Sequence, residues 1–392
     1  MTKLKVKRLA VQDSPEALLE NAVGRIERLI APEKYEFTES DSDVLFFLTG
    51  GTERIAIEQV SLGHFYILIG SQHNNAYASA TEVKAHLNEM DIPSLLLDED
   101  EATTVKILSN FFIVKKALEN LKGQRLGLIG QISDWLISSE ISPDILIEKL
   151  GIILKIIPWS ELKHFAEYST SASLIKTFSG GTNIDLTQTG QVGELLMHTI
   201  KSRNLDAITV ECFPMVKKDC VTACLPLAKF NNDGIPAGCE GDLTAIVGMM
   251  LCKELTGTIP WTANVNKVTD EVCMFSHCTI APSLVTDLSV KSHFETGVGT
   301  AIQGNFKGDL VTIFRFDRHL SKMFVATANI IGRPKSATAC RTQIEVKLTE
   351  NEVDLLIHQP LGNHHLIFPG DCKNLLQLAC ETLSIDILRG CQ

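Results

Sequence analysis

The sequence predicts an α/β protein in which two layered α/β (Rossmann-like) domains with parallel sheets precede a β-rich, barrel-like C-terminal domain. Over roughly the first 260 residues, short apolar runs alternate with helix-like segments. This alternation is typical of parallel sheets covered by helices. Beyond about Pro260, strand-like runs separated by Gly, Asp or Asn turns dominate, which indicates an antiparallel β domain. We therefore expect domains at residues 1–122, 123–262 and 263–392.

The first two predicted domains contain strands and helices in alternation. In the first, we expect strands 42–48, 64–70 and 92–97, a helix 76–90, and a second helix that follows the acidic run 98–101 and ends at Leu121. In the second, we expect strands 125–130, 152–159, 206–213 and 235–239, a helix starting at Ser133, and helices 144–150, 161–168, 171–178, 192–202, 220–229 and 243–255.

The third predicted domain contains mostly strands. We expect strands 298–303, 310–316, 324–331, 341–348 and 353–358, followed by one helix, 373–383. Gly, Asp and Asn between the runs favour tight turns, so neighbouring strands should be antiparallel.

Composition excludes several classes of protein. The chain has 36 Lys and Arg against 47 Asp and Glu, a net charge of −11, which argues against a nucleic-acid partner. No apolar run approaches the roughly 20 residues of a membrane-spanning helix, and no apolar signal segment follows the basic residues of the N-terminus. The 11 cysteines are odd in number and are expected to be reduced thiols, so we expect a cytoplasmic protein.

The usual cofactor and nucleophile motifs are absent from the sequence. Neither GxGxxG after a strand nor GxxxxGK[ST] occurs, and GxSxG is also missing. We therefore expect no organic cofactor, and the chemistry should come from carboxylates and histidines at the ends of predicted strands.

Two carboxylates, Glu240 and Asp242, follow the predicted strand 235–239 and lie two positions apart. In an extended segment, residues two apart point to the same side, so both could face one site. Two neighbouring carboxylates can both stay ionised when a cation lies between them. Oxygen ligands of this kind suit Mn²⁺, Mg²⁺ or Co²⁺. The alternative is that Asp242 is the N-cap of helix 243–255 and Glu240 a solvated loop residue.

Other polar residues also follow predicted strands. Glu211 lies near the C-terminal end of the buried strand 206–213, where ligands bind in parallel sheets. The alternative is that it faces solvent or pairs with Lys217 or Lys218. Asn74, Asn75 and Trp135 could contact a polyol, since amides and aromatic faces suit sugars, although a purely structural role is open for each.

Two segments offer imidazoles. His364 lies in the run Gly362-Asn363-His364-His365, and His277 ends another predicted strand. A neutral imidazole beside carboxylates completes a mixed nitrogen and oxygen metal site. The alternative for each histidine is a packing role.

Several stretches together resemble the L-fucose/L-arabinose isomerase family, particularly its shorter L-fucose isomerase-like members. They are the segment 232–242 with Leu255-Thr256-Gly257, His277-Cys278-Thr279, the run 294–299, Cys340-Arg341-Thr342-Gln343, Gly362-Asn363-His364-His365 with Gly370-Asp371, and the segment 122–135. The resemblance covers most of residues 60–390, and the order and spacing of the motifs carry it.

The resemblance implies an aldose–ketose isomerase that acts through an ene-diol on a sugar such as L-fucose, L-arabinose, D-arabinose or a modified hexose. It implies a divalent cation, Mn²⁺ before Mg²⁺ or Co²⁺, held by two acids and one histidine. By position the ligands are drawn from Glu211, Glu240, Asp242 and His364, and the acids Glu240, Asp242 and Glu211 are the candidate catalytic residues. His277, Trp135, Asn74, Asn75, Arg341 and Asn363 are then the candidate sugar-binding residues.

The resemblance further implies a closed homo-oligomer, a trimer or hexamer, with active sites near subunit boundaries. Two alternatives remain open at this point. One is a metal-dependent sugar hydrolase or epimerase that uses the same cation and carboxylates. The other is a non-catalytic sugar-binding or regulatory protein, because paired α/β domains also build such proteins.

Overall fold

The chain forms two compact units in a computed structural model that describes residues 2–269 and 271–390. The first unit comprises residues 1–119 and 375–385, and the second comprises residues 120–374 and 386–392. The predicted fold class is confirmed: two parallel α/β sheets precede an antiparallel six-stranded β-barrel. Within the described residues, no helix combines the length and apolar character that crossing a membrane requires.

The first unit is built on a five-stranded parallel sheet. Its strands occur in the order β2-β1-β3-β4-β5. The central strands β3 and β4 are buried along their whole length, because helices cover both faces of such a sheet. The elements are β1 (Leu4–Leu9), α1 (Glu16–Glu27), β2 (Tyr35–Phe37), β3 (Val44–Phe47), α2 (Glu53–Ile57), β4 (Tyr66–Gly70), α3 (Ala76–Glu89), β5 (Ser94–Asp98) and α4 (Ala102–Leu121).

The second unit begins with a four-stranded parallel sheet in the order β7-β6-β8-β9. Its elements are β6 (Arg125–Ile129), α5 (Pro143–Leu150), β7 (Ile153–Ile157), α6 (Ala172–Phe178), α7 (Thr187–Arg203), β8 (Ala207–Val210), α8 (Phe213–Asp219), α9 (Cys224–Asn232), β9 (Ala237–Cys239) and α10 (Leu243–Thr256). Helix α10 is buried over most of its length and contacts both β8 and β9 of this sheet and two strands of the barrel, Leu310–Phe316 and His364–Pro369.

The barrel closes on itself. Six antiparallel strands follow one another in the order β14-β17-β10-β11-β16-β15, and β14 also pairs with β15. The elements are β10 (Trp261–Val268), β11 (Val272–His277), β12 (Val285–Lys291), β13 (Ala301–Phe306), β14 (Leu310–Phe316), β15 (Lys322–Gly332), β16 (Thr342–Lys347), α11 (Glu350–His358), β17 (His364–Pro369), α12 (Lys373–Thr382) and β18 (Asp386–Ile387). Strands β12 and β13 form a separate two-stranded ribbon, and α12 extends into the first unit.

The predictions for three elements of secondary structure are wrong. Residues 353–358, expected as a strand, belong to helix α11, which a capping box between Thr349 and Glu352 starts. Residues 161–168, expected as a helix, form two short 3₁₀ turns, Trp159–Glu161 and Phe165–Glu167. The segment after Ser133, expected to start a helix, is a loop of turns that reaches Ser142.

The described cysteines are free thiols, as expected, and Cys391 lies outside the described residues. Cys220, the first residue of the helix expected at residues 220–229, is exposed. It lies between α8 and α9 with a left-handed φ of 57°, so the helix expected at residues 220–229 begins at Cys224.

Candidate metal centre

Glu240 follows β9 in a backbone conformation that non-glycine residues rarely adopt. Its φ is +62°, and its carbonyl oxygen accepts the N–H of Ser133 at 2.9 Å. The next residue must be glycine, because φ is +71° at Gly241 and a Cβ there would lie 2.3 Å from the Gln131 carbonyl oxygen. Strain of this kind persists where the surrounding structure fixes it, which is common at functional sites.

Trp135 holds one oxygen of the Glu240 carboxylate. The indole N–H of Trp135 donates to Oε2 at 2.6 Å, and the Trp135 ring packs edge-on against Phe213 at a centroid distance of 4.7 Å. Half of Trp135 remains exposed. The structure therefore brings two predicted site residues together and leaves Oε1 of Glu240 for another partner.

His364 is the first residue of β17 and presents a buried nitrogen to that free oxygen. Its Nδ1 lies 2.9 Å from Asp242 Oδ2, an acceptor, so Nδ1 carries a proton. Nε2 is buried without a hydrogen-bond partner among the described residues. It lies 3.8 Å from Glu240 Oε1, too far for a hydrogen bond.

Asp242 is fully occupied by protein donors. Its Oδ1 accepts the N–H of Ala245 at 2.8 Å and the hydroxyl of Thr244 at 2.7 Å, and its Oδ2 accepts from Ser139 at 3.1 Å as well as from His364. The alternative of an N-cap for α10 is thus confirmed. The geometry favours a positioning role for Asp242 over the metal-ligand role that the sequence suggested, because the metal would have to displace one of these donors.

Arg315 supports the same carboxylate from β14. One guanidinium nitrogen lies 3.8 Å from Asp242 Oδ2 and donates to the carbonyl oxygen of His364 at 2.5 Å, and the other donates to Ser139 Oγ at 3.1 Å. The sequence analysis missed Arg315. A charged residue inside the apolar run of β14 was an available signal, because a buried arginine requires a partner.

The charges around Asp242 shift the pKa values of both members of its hydrogen bond. Burial alone would raise the pKa of Asp242, but the hydrogen bond from His364 and the charge of Arg315 bring it below its ordinary value. Burial alone would lower the pKa of His364, but the hydrogen bond to Asp242 and the charge of Glu240 raise it. The carboxylate form of Asp242 and the protonated form of His364 are therefore both favoured, and a cation that binds His364 must displace the proton on Nε2.

His277 ends β11 on the other side of Glu240 and is arranged as a donor. Its Nδ1 accepts the N–H of Cys278 at 2.9 Å and that of Thr279 at 3.3 Å. Burial lowers the pKa of His277 well below its ordinary value, with a further lowering from His364, so the ring is neutral and its proton lies on Nε2. This N–H lies 3.5 Å from Cys239 Sγ and 3.8 Å from Glu240 Oε1.

Distance alone groups a different set of potential metal ligands. Among the described residues, Cys239, Glu240 and His277 offer ligand atoms within 4.8 Å of one another. Burial raises the pKa of Cys239 well above its ordinary value, as does the charge of Glu240, and the His277 nitrogen that faces the group carries a proton. Thiolates and unprotonated imidazole nitrogens bind metals, so Cys239 and the protonated nitrogen of His277 are poor ligands. Nε2 of His364, which has no hydrogen-bond partner among the described residues, is the nitrogen that a cation could bind beside Glu240.

Three other predicted residues make structural contacts. Glu211 follows β8, and its carboxylate accepts the N–H of Gln131 at 2.9 Å. Arg341 donates to the carbonyl oxygen of Ser292 at 2.8 Å, and Asn363 joins the start of β17 to β10 by donating to Asn264 at 2.5 Å. None of these contacts involves Glu240, and the site roles of these residues stay predictions.

Asn74 and Asn75 belong to the first unit. They follow β4 in a turn where both have left-handed φ values, 55° and 56°, and both are exposed. The main chain of Asn74 accepts the N–H of Gly50 at 2.7 Å, which fixes the turn to the end of β3. Their predicted contact with a sugar stays a prediction.

A further carboxyl group, which the sequence analysis did not name as a site residue, interacts electrostatically with the site. Partial burial raises the pKa of Glu295, and the nearby negative charge of Glu240 raises it further. Glu295 lies in the loop between β12 and β13. A carboxyl group with a raised pKa beside a second carboxylate is a typical arrangement for proton transfer.

A comparison of this chain with models of known protein families and with curated proteins finds no match. The family resemblance therefore stays a prediction, and function is argued from the site.

Proposed function

We propose that the protein is a metal-dependent aldose–ketose isomerase whose divalent cation is held by Glu240 and His364. The observation that carries this proposal is the buried Nε2 of His364, which has no hydrogen-bond partner among the described residues and lies 3.8 Å from Glu240 Oε1, while Asp242 holds the opposite ring nitrogen. Metal-binding histidines commonly donate their other N–H to a carboxylate in this way.

The gap between the two atoms fits a cation of the Mg²⁺ or Mn²⁺ type. Such an ion contacts each ligand at about 2.0–2.2 Å, so it can bridge two atoms up to roughly 4 Å apart. One carboxylate and one imidazole leave positions for substrate oxygens, and carboxylate ligands favour Mn²⁺ or Mg²⁺. We expect Mn²⁺.

The residues around the proposed cation could bind a sugar substrate or transfer its protons. A divalent cation would polarise the sugar carbonyl and so acidify the neighbouring C–H group. His277 Nε2–H is a neutral donor for a sugar oxygen, and the exposed part of the Trp135 ring offers an apolar face to a sugar. We assign the proton transfer between the two carbons to Glu295, a partly buried carboxyl group in the loop between β12 and β13 that interacts electrostatically with Glu240.

The proposal extends to substrate and assembly. The substrate class is an open-chain aldose of the L-fucose, L-arabinose or D-arabinose type, or a modified hexose. We also propose a cytoplasmic homo-oligomer, a trimer or hexamer, for which the left-handed turn at Asn74 and Asn75 offers exposed amide groups.

Metal binding tests the ligand pair without any assay of activity. Titration of Mn²⁺ followed by the electron paramagnetic resonance signal of the free ion should give one site per chain. His364→Ala and Glu240→Gln should each weaken this site by about 10–100-fold or more. His358→Ala, at an exposed position at the end of α11, is the matched control and should bind as the wild type does. Unchanged Mn²⁺ affinity in both site variants would disprove the assigned centre.

Exchange of the substrate's C2 proton with solvent tests the reaction. With Mn²⁺ and a panel of pentoses, deoxyhexoses and modified hexoses, the wild type should convert an aldose to its ketose and exchange the C2 proton with deuterated solvent. Glu295→Gln should retain Mn²⁺ and lose exchange, whereas Glu211→Gln, whose carboxylate caps the Gln131 N–H, should exchange normally. A wild type that binds Mn²⁺ and sugar but exchanges no proton would favour the sugar-binding alternative.

A further inference from the structure

A second cavity opens at the same edge of the parallel sheet as the candidate metal centre. Its volume is about 270 Å³. Trp159, just after β7, and α8, which follows β8 closely, supply much of its wall. In open parallel sheets, ligands gather outside the carboxyl ends of the strands, where the strand order reverses. The cavity shares no lining residue with the metal centre.

The wall of the cavity is largely apolar and includes two aromatic rings. Trp159 and Phe165 line it together with Met215 and Pro214, while Leu195 of α7 contributes a further buried side chain. A concave, mostly apolar surface with a few polar groups is the usual character of a small-molecule site. The wall therefore suits a flat or aromatic ring.

The polar groups at the cavity carry a net positive charge. Lys163 and Lys218 line it, and Asp219 is the one carboxylate in the lining. Asp219 already has a partner, because Oδ1 lies 3.3 Å from His164 Nε2. Nδ1 of His164 accepts the N–H of Ala166, which leaves the proton on Nε2 to donate to Asp219. Two lysines and one aspartate leave at least one positive charge for a ligand.

We infer that this cavity binds a small aromatic monoanion, with the ring against Trp159 and Phe165 and the anionic group between Lys163 and Lys218. The class of ligand is an aromatic carboxylate of one or two rings. The cavity volume fits a molecule of this size, and the unpaired positive charge selects an anion over a neutral ring. The inference does not depend on the proposed isomerase activity, because none of these residues belongs to the metal centre.

Calorimetric titration with 2-naphthoate at low salt tests the inference on the intact chain. We expect wild-type binding with a dissociation constant below about 1 mM, and affinity about tenfold lower for the neutral 2-naphthamide. The double variant Lys163→Gln/Lys218→Gln should weaken 2-naphthoate binding by about tenfold or more and leave 2-naphthamide binding unchanged. Lys217→Gln, a neighbouring exposed lysine outside the cavity lining, should bind like the wild type.

Three results would overturn the inference. They are the absence of wild-type binding below about 1 mM, equal binding of the acid and the amide, and an unchanged affinity for 2-naphthoate in the double variant. Because lysines 163 and 218 are exposed, their replacement by glutamine should leave the fold intact, and circular dichroism of each variant verifies this.

Discussion

Asp242 connects the start of a buried helix to an imidazole of the candidate metal centre. Its two oxygens accept from the main chain of α10 and from the Nδ1–H of His364, and Arg315 lies within ion-pair distance of Oδ2. All three residues are almost fully buried. A single side chain therefore fixes both the start of the helix and the orientation of the His364 ring.

Asp242→Asn should separate these two roles. Asparagine caps helices about as well as aspartate, so α10 should still start at Leu243. Its amide cannot accept as both carboxylate oxygens do, and Arg315 loses its counter-charge. We expect Mn²⁺ affinity to fall by about 10–100-fold and the free energy of unfolding to fall by about 3 kcal/mol. Mn²⁺ titration and urea denaturation measure the two effects.

Ser139→Ala is the control for Asp242→Asn. Ser139 also donates to Asp242 Oδ2, at 3.1 Å, but has no contact with the ring of His364 among the contacts described above. Its loss should cost about 1 kcal/mol of stability and leave Mn²⁺ affinity within about twofold of the wild type. If Ser139→Ala weakens Mn²⁺ binding as much as Asp242→Asn does, the effect comes from general loosening of the buried cluster rather than from the orientation of the His364 ring.

At the scale of single residues, the sequence indicated Glu240, His364 and His277 as members of a site but left their roles open. Residue type and strand-end position were enough to nominate them. Their protonation states were not predictable, because these depend on contacts such as that between Cys278 N–H and His277 Nδ1, and on Asp242 and Arg315, which come from separate strands and loops.

Helix α10 is bounded by two glycines that differ in what surrounds them. Gly241 lies just before its N-cap and Gly257 is its C-cap, with φ values of +71° and +77°. A Cβ at Gly257 would meet nothing within 4 Å, whereas one at Gly241 would lie 2.3 Å from the Gln131 carbonyl oxygen. The same substitution at the two ends therefore separates backbone strain from a steric clash.

Gly257→Ala should cost about 1 kcal/mol, the usual cost of placing alanine in a left-handed conformation. Gly241→Ala should cost several times as much, because the main chain at Gln131 must move, and should also weaken Mn²⁺ binding because Glu240 moves with it. Thermal unfolding and Mn²⁺ titration of the two variants provide the comparison. Equal losses of stability in the two variants would mean that the loop at Gln131 moves aside without a measurable cost in free energy.

The elements that were predicted wrongly have local or tertiary explanations. In α11 the signal was present, since Thr349 and Glu352 form a capping box, but the apolar residues of 353–358 suggested a strand. The loop after Ser133 had no such signal. The N–H of Ser133 donates to the carbonyl oxygen of Glu240, which lies more than 100 positions further along the chain. This contact takes the place of the first turn of the expected helix.

At the scale of the molecule, the alternation of strands and helices and the later change to strands alone predicted the order of the sheets. The closure of the barrel was not predictable in detail, because it depends on the pairing of β14 with both β15 and β17. The membership of residues 375–385 in the first unit was not predictable either, because the sequence of an amphipathic helix does not indicate which part of the protein the helix packs against.

The first unit contains a buried ion pair whose loss should be measurable. Glu99 is almost fully buried and accepts from Arg25 Nε at 2.8 Å, and Arg28 lies 3.4 Å from the same oxygen. Glu99→Gln should reduce the stability of this unit by about 3 kcal/mol, because the charge of Arg25 is left buried without its partner. Glu36→Gln, which breaks the exposed pair with Lys3, should cost less than about 1 kcal/mol. Urea denaturation compares them, and equal costs would show that the burial of Glu99 is unimportant.

The contribution of residues 375–385 to the first unit also affects how the protein can be synthesised. Roughly 250 residues separate this segment from residue 119, so a ribosome that adds 5–20 residues per second needs about 10–50 s to reach it. Throughout that interval the nascent first unit lacks part of its final structure, although its sheet has left the exit tunnel. The first unit therefore cannot reach its final structure until translation is nearly finished.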